Sequence, residues 1–151
     1  MATYKDVQDH YDHEAVAPYI SREDIVTVWS LGHYDGPGSG LVKYKDKWYL
    51  ALCEDMMVDE RIFWLVDPGE ERMKELLTWA EDRFAAYGNC RWTPDGKDDC
   101  DENRGTLGKY GSPGYDERRT EWESTHKHPM APRDAEPNDI VVGYFCNWRE
   151  R

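Results

Sequence analysis

The sequence predicts an α+β domain: a bent antiparallel β-meander of about five strands, one packed amphipathic helix and a long irregular insertion. Closure of the sheet into a small barrel is the alternative. Three observations lead there. Four short runs rich in β-branched and aromatic residues follow one another between residues 25 and 66, and a fifth returns at residues 139–148. One stretch after Asp67 carries apolar residues at helical spacing. From residue 89 to about residue 138 neither period persists. At 151 residues this is one domain with a modest core, drawn from residues 20–88 and 139–148.

Tyr4, Val7 and Tyr11 fall at i, i+3 and i+7, which predicts a short amphipathic helix that Pro18 ends. Ile25–Leu31 is β-branched and apolar and reads as a largely buried strand. Asp35-Gly36-Pro37-Gly38-Ser39-Gly40 is a dense turn signal. Leu41–Lys45 and Trp48–Cys53 follow as a hairpin turning around Asp46-Lys47, and Arg61–Val66 is the next strand. Asp67 is placed to cap the helix, with Pro68 at its first position and Glu70 at the capping-box spacing. Met73, Leu76, Leu77, Ala80, Phe84 and Tyr87 then build one apolar stripe, and Gly88 stands where a left-handed terminator belongs. The insertion 89–138 holds five Pro and five Gly, with a short helix expected at Tyr115–Ser124. A connection of this length is either a functional loop that packs by its aromatics or a segment that stays mobile until a partner binds. Asp139–Trp148 closes the sheet.

The turn and hairpin Asp35-Gly36-Pro37-Gly38-Ser39-Gly40-Leu41-Val42-Lys43-Tyr44, with Trp48-Tyr49 after it, resembles a segment in small uncharacterised proteins of actinobacteria and their phages. The resemblance covers roughly a fifth of the chain and rests on turn residues. It implies a phage or host setting, in which small acidic proteins often act on other proteins. It brings no activity with it.

The formal net charge of −12 coexists with 7 Trp, 10 Tyr and 3 Phe. An acidic chain poor in aromatics would be a solvating, disordered one; here the aromatics sit in periodic segments, so the acids belong on a folded surface. The charge is spread, with −7 on residues 1–67 and −5 on residues 68–151. Such a surface points to a basic protein partner, a nucleic-acid enzyme among them, and away from direct nucleic-acid or membrane contact. The 19 Lys+Arg argue against full phosphate mimicry. No apolar run follows a basic segment at the start and none approaches membrane-spanning length, so a cytoplasmic protein with reduced thiols is expected. Cys53 and Cys146 lie in apolar strands and read as small core residues, whereas Cys90 and Cys100 lie in a polar stretch too far apart for a zinc knuckle.

Contact anchors are sought among the aromatics and acids of the insertion: Trp92, Tyr110, Tyr115 and Trp122, with Asp98, Asp99, Asp101 and Glu102. Trp92 and Trp122 serve equally well as pins holding the insertion on its own domain. Trp29, Trp48, Trp64 and Trp148 lie on strands and read as core. His126 and His128 are the candidate metal ligands, at i and i+2 of an extended segment, with no third ligand set by spacing. His10 and His13, one helical turn apart, fit a second ligand pair and a helix surface equally well. Asp95–Glu102 has the composition of a calcium loop without its alternation. The Gly36–Gly40 turn lacks the Lys and helix of a phosphate loop, and Ser39 lacks the flanking glycines of a nucleophile elbow. No catalytic residue and no cofactor is implied. The leading expectation is a non-enzymatic acidic protein that binds and modulates a basic partner, an inhibitor or immunity-like factor. A metal-dependent enzyme using His126 and His128, or a virion or assembly component, is the alternative.

Overall fold

A computed structural model describes residues 1–8, 13–33, 37–53, 61–88, 91–92, 98–99, 105–127 and 135–146. In chain order the elements are β1 (Ala2–Thr3), α1 (Tyr4–Gln8), α2 (His13–Val16), β2 (Ile25–His33), β3 (Pro37–Tyr44), β4 (Lys47–Cys53), β5 (Ile62–Asp67), α3 (Glu70–Tyr87), β6 (Arg91–Trp92), β7 (Asp98–Asp99), α4 (Tyr115–Thr125) and β8 (Ile140–Cys146). All strand pairs are antiparallel, in the order β1-β8-β5-β4-β3-β2-β6-β7. Five long strands form the sheet and three two-residue strands extend its edges. It is an α+β fold, and the sheet is not closed into a barrel.

The β2–β3–β4–β5 meander is the one expected from the apolar runs. Its β3–β4 hairpin turns through Lys45 (φ 48°) and Asp46 (φ 61°), one residue earlier than the expected Asp46-Lys47, with Tyr44 opposite Lys47. That is a two-residue turn whose handedness matches the strand twist. The Gly-rich stretch before it departs from expectation. Only residues 34–36 fall between strands, and they lie outside the described residues. Ser39 and Gly40 pair on both sides, with Gly32 and Ser30 of β2 and with Leu52 and Ala51 of β4. Ladder bonds to two neighbours outweigh the turn preference of these small residues, at the cost of bulges in β2.

Side-chain alternation sorts the core into two faces. Leu41, Leu50, Leu52, Trp64 and Val66 face one side, covered by Met73, Leu76 and Ala80 of α3 together with Val7 and Ala17. Val42, Ala51, Phe63, Leu65 and Phe145 face the other, with Ile20 and Ile25. The β5 run therefore buries both its faces. A bulge between Leu65 and Val66 shifts the phase of β8, so that Val141 and Tyr144 both meet the helix-covered side. Pro18–Ile20 lies along β8: Ile20 N–H donates to the Tyr144 carbonyl at 2.7 Å and Tyr144 N–H to the Pro18 carbonyl at 3.0 Å. Gly143 permits this approach, since a Cβ there would lie 2.8 Å from the Pro18 oxygen. The half-buried thiols Cys53 and Cys146 pack against opposite faces. Trp64 is fully in the core and Trp48 packs against it, while the Trp29 side chain and Trp148 lie outside the described residues. So does Tyr11, between the two N-terminal helices.

The start of α3 corrects the capping expectation. Asp67 ends β5, and the residue preceding the helix is Gly69 at φ 92°, with no side-chain cap. Asp67 instead accepts hydrogen bonds from the Gly69 N–H at 2.9 Å and from Lys47 at 2.8 Å. A carboxylate held by a neighbouring strand is not available to the helix. At the other end Gly88 takes the left-handed conformation (φ 75°) and its N–H donates to Phe84, as its sequence position implies. The insertion is not irregular throughout. Its Arg91–Trp92 pairs with β2, Asp98–Asp99 pairs with Arg91–Trp92, and α4 matches the short helix expected.

Candidate interaction site

The helix α4 docks antiparallel against the C-terminal half of α3. Trp79, Arg83 and Tyr87 recur every four residues on α3, so they form one line beside the core stripe. Trp79 Nε1–H donates to the His126 carbonyl at 3.0 Å. The Tyr87 ring meets Trp122 edge-on at 5.4 Å, and its hydroxyl donates to Glu123 at 3.1 Å. Burial and the Glu123 charge raise the Tyr87 hydroxyl above its ordinary pKa, while hydrogen bonds from Arg119 and Tyr87 hold the Glu123 carboxyl below the usual range. Under this contact Ala86, Leu107 and Tyr115 form a small core of their own.

All nine acidic residues of these two helices are exposed: Glu70, Glu71, Glu75, Glu81 and Asp82 on α3, and Asp116, Glu117, Glu121 and Glu123 on α4. Four of their five basic residues are engaged by the fold. Arg72 is bound to Asp139 and to the Pro68 carbonyl. Arg83 lies over the rings of Tyr87 and Trp79, at 5.1 and 6.0 Å. Arg118 donates to the carbonyls of Leu107 and Pro113. Arg119 pairs with Glu123 at 2.9 Å. The two helices thus expose nine carboxylates, while four of their five cations are already engaged within the fold, Arg72 and Arg83 half-buried and Arg118 and Arg119 at the surface. Between α3 and the end of α4 lies an open groove of ≈ 400 Å³, with Glu75, Trp79 and Asp82 on one side and Thr125 and His126 on the other.

The sequence-selected aromatics divide. Tyr115 is 6% exposed and belongs to the small core. Trp122 is half-buried between Tyr87 and His126 and pins α4 to its own domain, the second of its two expected roles. Tyr110 is 71% exposed. Trp92, Asp98 and Asp99 lie in the β6–β7 pair, whose side chains are outside the description, as are Asp101 and Glu102 altogether. The His126 ring stacks on Trp122 at 4.4 Å, and its Nδ1 stands 2.8 Å from Thr125 Oγ1 and 3.0 Å from the Trp122 carbonyl. His128, Cys90 and Cys100 lie outside the described residues. Among the described residues no three His, Cys, Asp or Glu side chains gather to hold a metal, and no helix is long and apolar enough to cross a membrane.

Sequence reasoning assigned Tyr87 to the core stripe and did not single out Trp79, Arg83 or Arg118. The four-residue spacing of the first two with Tyr87 was a readable signal. Arg118 had none, because its acceptors are backbone carbonyls. No protein-family model, curated protein or solved structure gives a significant match to this chain.

Proposed function

We propose that this protein is a non-enzymatic acidic binding module that engages and modulates a basic protein partner through the α3/α4 face, as an inhibitor or immunity-like factor of phage or host origin. The observation that carries the reading is the excess of acidic charge on the two helices: nine exposed acids against five basic residues, four of them already engaged within the fold. Charge of one sign on a rigid face steers a complementary partner and raises its association rate, with strong dependence on ionic strength. Nucleic-acid enzymes, with basic grooves, are partners of this chemistry.

The test is affinity capture from host lysate at about 50 mM and about 500 mM salt, across which the screening length shrinks severalfold. A single stoichiometric basic protein held at low salt and released at high salt is expected. The variant Glu75→Gln/Glu81→Gln/Asp82→Asn/Glu117→Gln/Glu121→Gln removes five exposed charges without touching the core, and it should lose that protein at low salt. Capture unaffected by either change would refute the reading.

A further inference from the structure

The groove between α3 and the end of α4 has an aromatic wall with a carboxylate on either side of it. Trp79 stands on the α3 side, and Glu75 and Asp82 line the groove one turn before and one turn after it, at i−4 and i+3. Thr125 and His126 form the opposite side. The wall is fixed in place: Trp79 Nε1–H donates to the His126 carbonyl at 3.0 Å, and the His126 ring stacks on Trp122 at 4.4 Å. Trp79 is half-buried, whereas Glu75 and Asp82 are exposed.

Lys74 and Lys127 also reach the groove, from its rim. Lys74 follows the next line of α3 outward, with Glu70 and Glu71 one turn behind it. Lys127 lies past the last residue of α4, four residues after Glu123. Across residues 70–82 and 121–127, seven carboxylates stand against three basic side chains, and one of these, Arg72, is bound to Asp139. The aromatic wall therefore lies in a surround of net negative charge.

A side chain that fills such a groove needs an apolar stem to lie on the ring and a cationic head to meet the carboxylates. Arginine has both, and its planar guanidinium is more weakly hydrated than an ammonium. The same helix shows this chemistry: Arg83, one turn beyond Trp79, holds its guanidinium 6.0 Å from the centre of the Trp79 ring.

We infer that this groove is a receptor for an arginine side chain of the basic partner protein, its stem along Trp79 and its guanidinium between Glu75 and Asp82. The inference rests on the binding reading above and names the contact within the α3/α4 face.

The test follows the indole N–H resonance of Trp79 in the full chain as blocked heptapeptides are added. Three peptides differ only at the central position, which is arginine, citrulline or glutamate. The arginine peptide should shift the resonance saturably and bind at least about fivefold tighter than the citrulline peptide, which keeps the shape and lacks the charge. The glutamate peptide should not bind. Equal binding of the arginine and citrulline peptides, binding of the glutamate peptide, or a silent Trp79 overturns the inference. Two double variants, Glu75→Gln/Asp82→Asn and Glu70→Gln/Glu71→Gln, remove the same charge, and only the first lies in the groove. The first should weaken the arginine peptide at least about fivefold and the second less than about twofold. Equal weakening by both overturns the groove as the site. A silent Trp79 beside salt-sensitive lysate capture that the five-charge variant abolishes overturns the groove and spares the acidic-face reading.

Discussion

Gly105 lies where the chain returns to the C-terminal end of α3, and its replacement by alanine is the sharpest test of how α4 is attached. The residue is buried. A Cβ there would press on the Ala86 carbonyl oxygen and lie 2.6 Å from the Tyr87 carbonyl carbon and 2.7 Å from the Gly88 nitrogen. All are backbone atoms and cannot rotate aside. Next to them, Thr106 and Leu107 donate their N–H groups to the Ala85 and Ala86 carbonyls at 3.0 Å each, satisfying the end of the helix. Gly105→Ala must therefore displace the helix terminus or lift the returning strand away from it. Two lost backbone hydrogen bonds cost about 2 kcal/mol and the overpacking about 1–3 more, giving about 4 kcal/mol together. Against a typical domain stability of about 5–15 kcal/mol, that suffices to open the attachment. Urea unfolding measures the global cost, and amide hydrogen exchange locates it. Protection should vanish at Thr106, Leu107 and along α4 while β4 and β5 keep theirs, because the main core does not include this contact. A loss below about 1 kcal/mol with unchanged protection at Thr106 and Leu107 would refute the reasoning.

The main core and the β4–β5 end give two further predictions. Leu76 is fully buried between α3 and the sheet, so Leu76→Ala should cost about 3–5 kcal/mol by denaturant unfolding, and less than about 2 would show that α3 does not seal this face. For Asp67, burial works to raise the carboxyl, but the hydrogen bonds from Lys47 and the Gly69 N–H outweigh it and hold the pKa below the ordinary value. A depressed folded pKa contributes stability that is present above the unfolded value, near about 3.9, and is lost as pH falls through the folded one. The Lys47 pKa is raised by its hydrogen bond and charge attraction to Asp67, so its share is present below the unfolded lysine value and lost as pH rises through the folded one. Unfolding titrations from about pH 2 to 5 should show a shallower acid limb for Asp67→Asn than for the native chain, and identical limbs would remove the pair from the account.

What was legible in the sequence was local. The β3–β4 hairpin could be read from two strand-forming runs two residues apart, because a turn that short forces its strands to pair. The α3 stripe and Gly88 could be read because helix period and left-handed termination depend on neighbours within four residues. The start of α4 was legible for the same reason. The Asp67 cap was misread because its carboxylate has a competitor, Lys47, twenty residues away in sequence and on the adjoining strand. The Gly-rich stretch was misread because turn preference is a weak local term set against hydrogen bonds from two flanking strands.

The candidate site divides along the same line. The acidity and the aromatic content of the insertion were plain in the sequence, and Tyr110 was among the residues drawn from it. Which aromatics face solvent was not plain: Tyr115 and Tyr110 have the same chemistry, five residues apart, yet one is core and the other exposed. By itself the sequence determined the α+β class, the strand-forming runs, the helix stripe and a net charge of −12, since each follows from side-chain chemistry and short-range period. Only the tertiary structure decided that β8 pairs between β1 and β5, that α4 lies on α3, and that Arg72, Arg83, Arg118 and Arg119 find partners within the fold while the nine carboxylates of the two helices stay exposed. Those outcomes depend on which distant backbone carbonyl or ring a side chain meets, and that is set by packing of the whole chain.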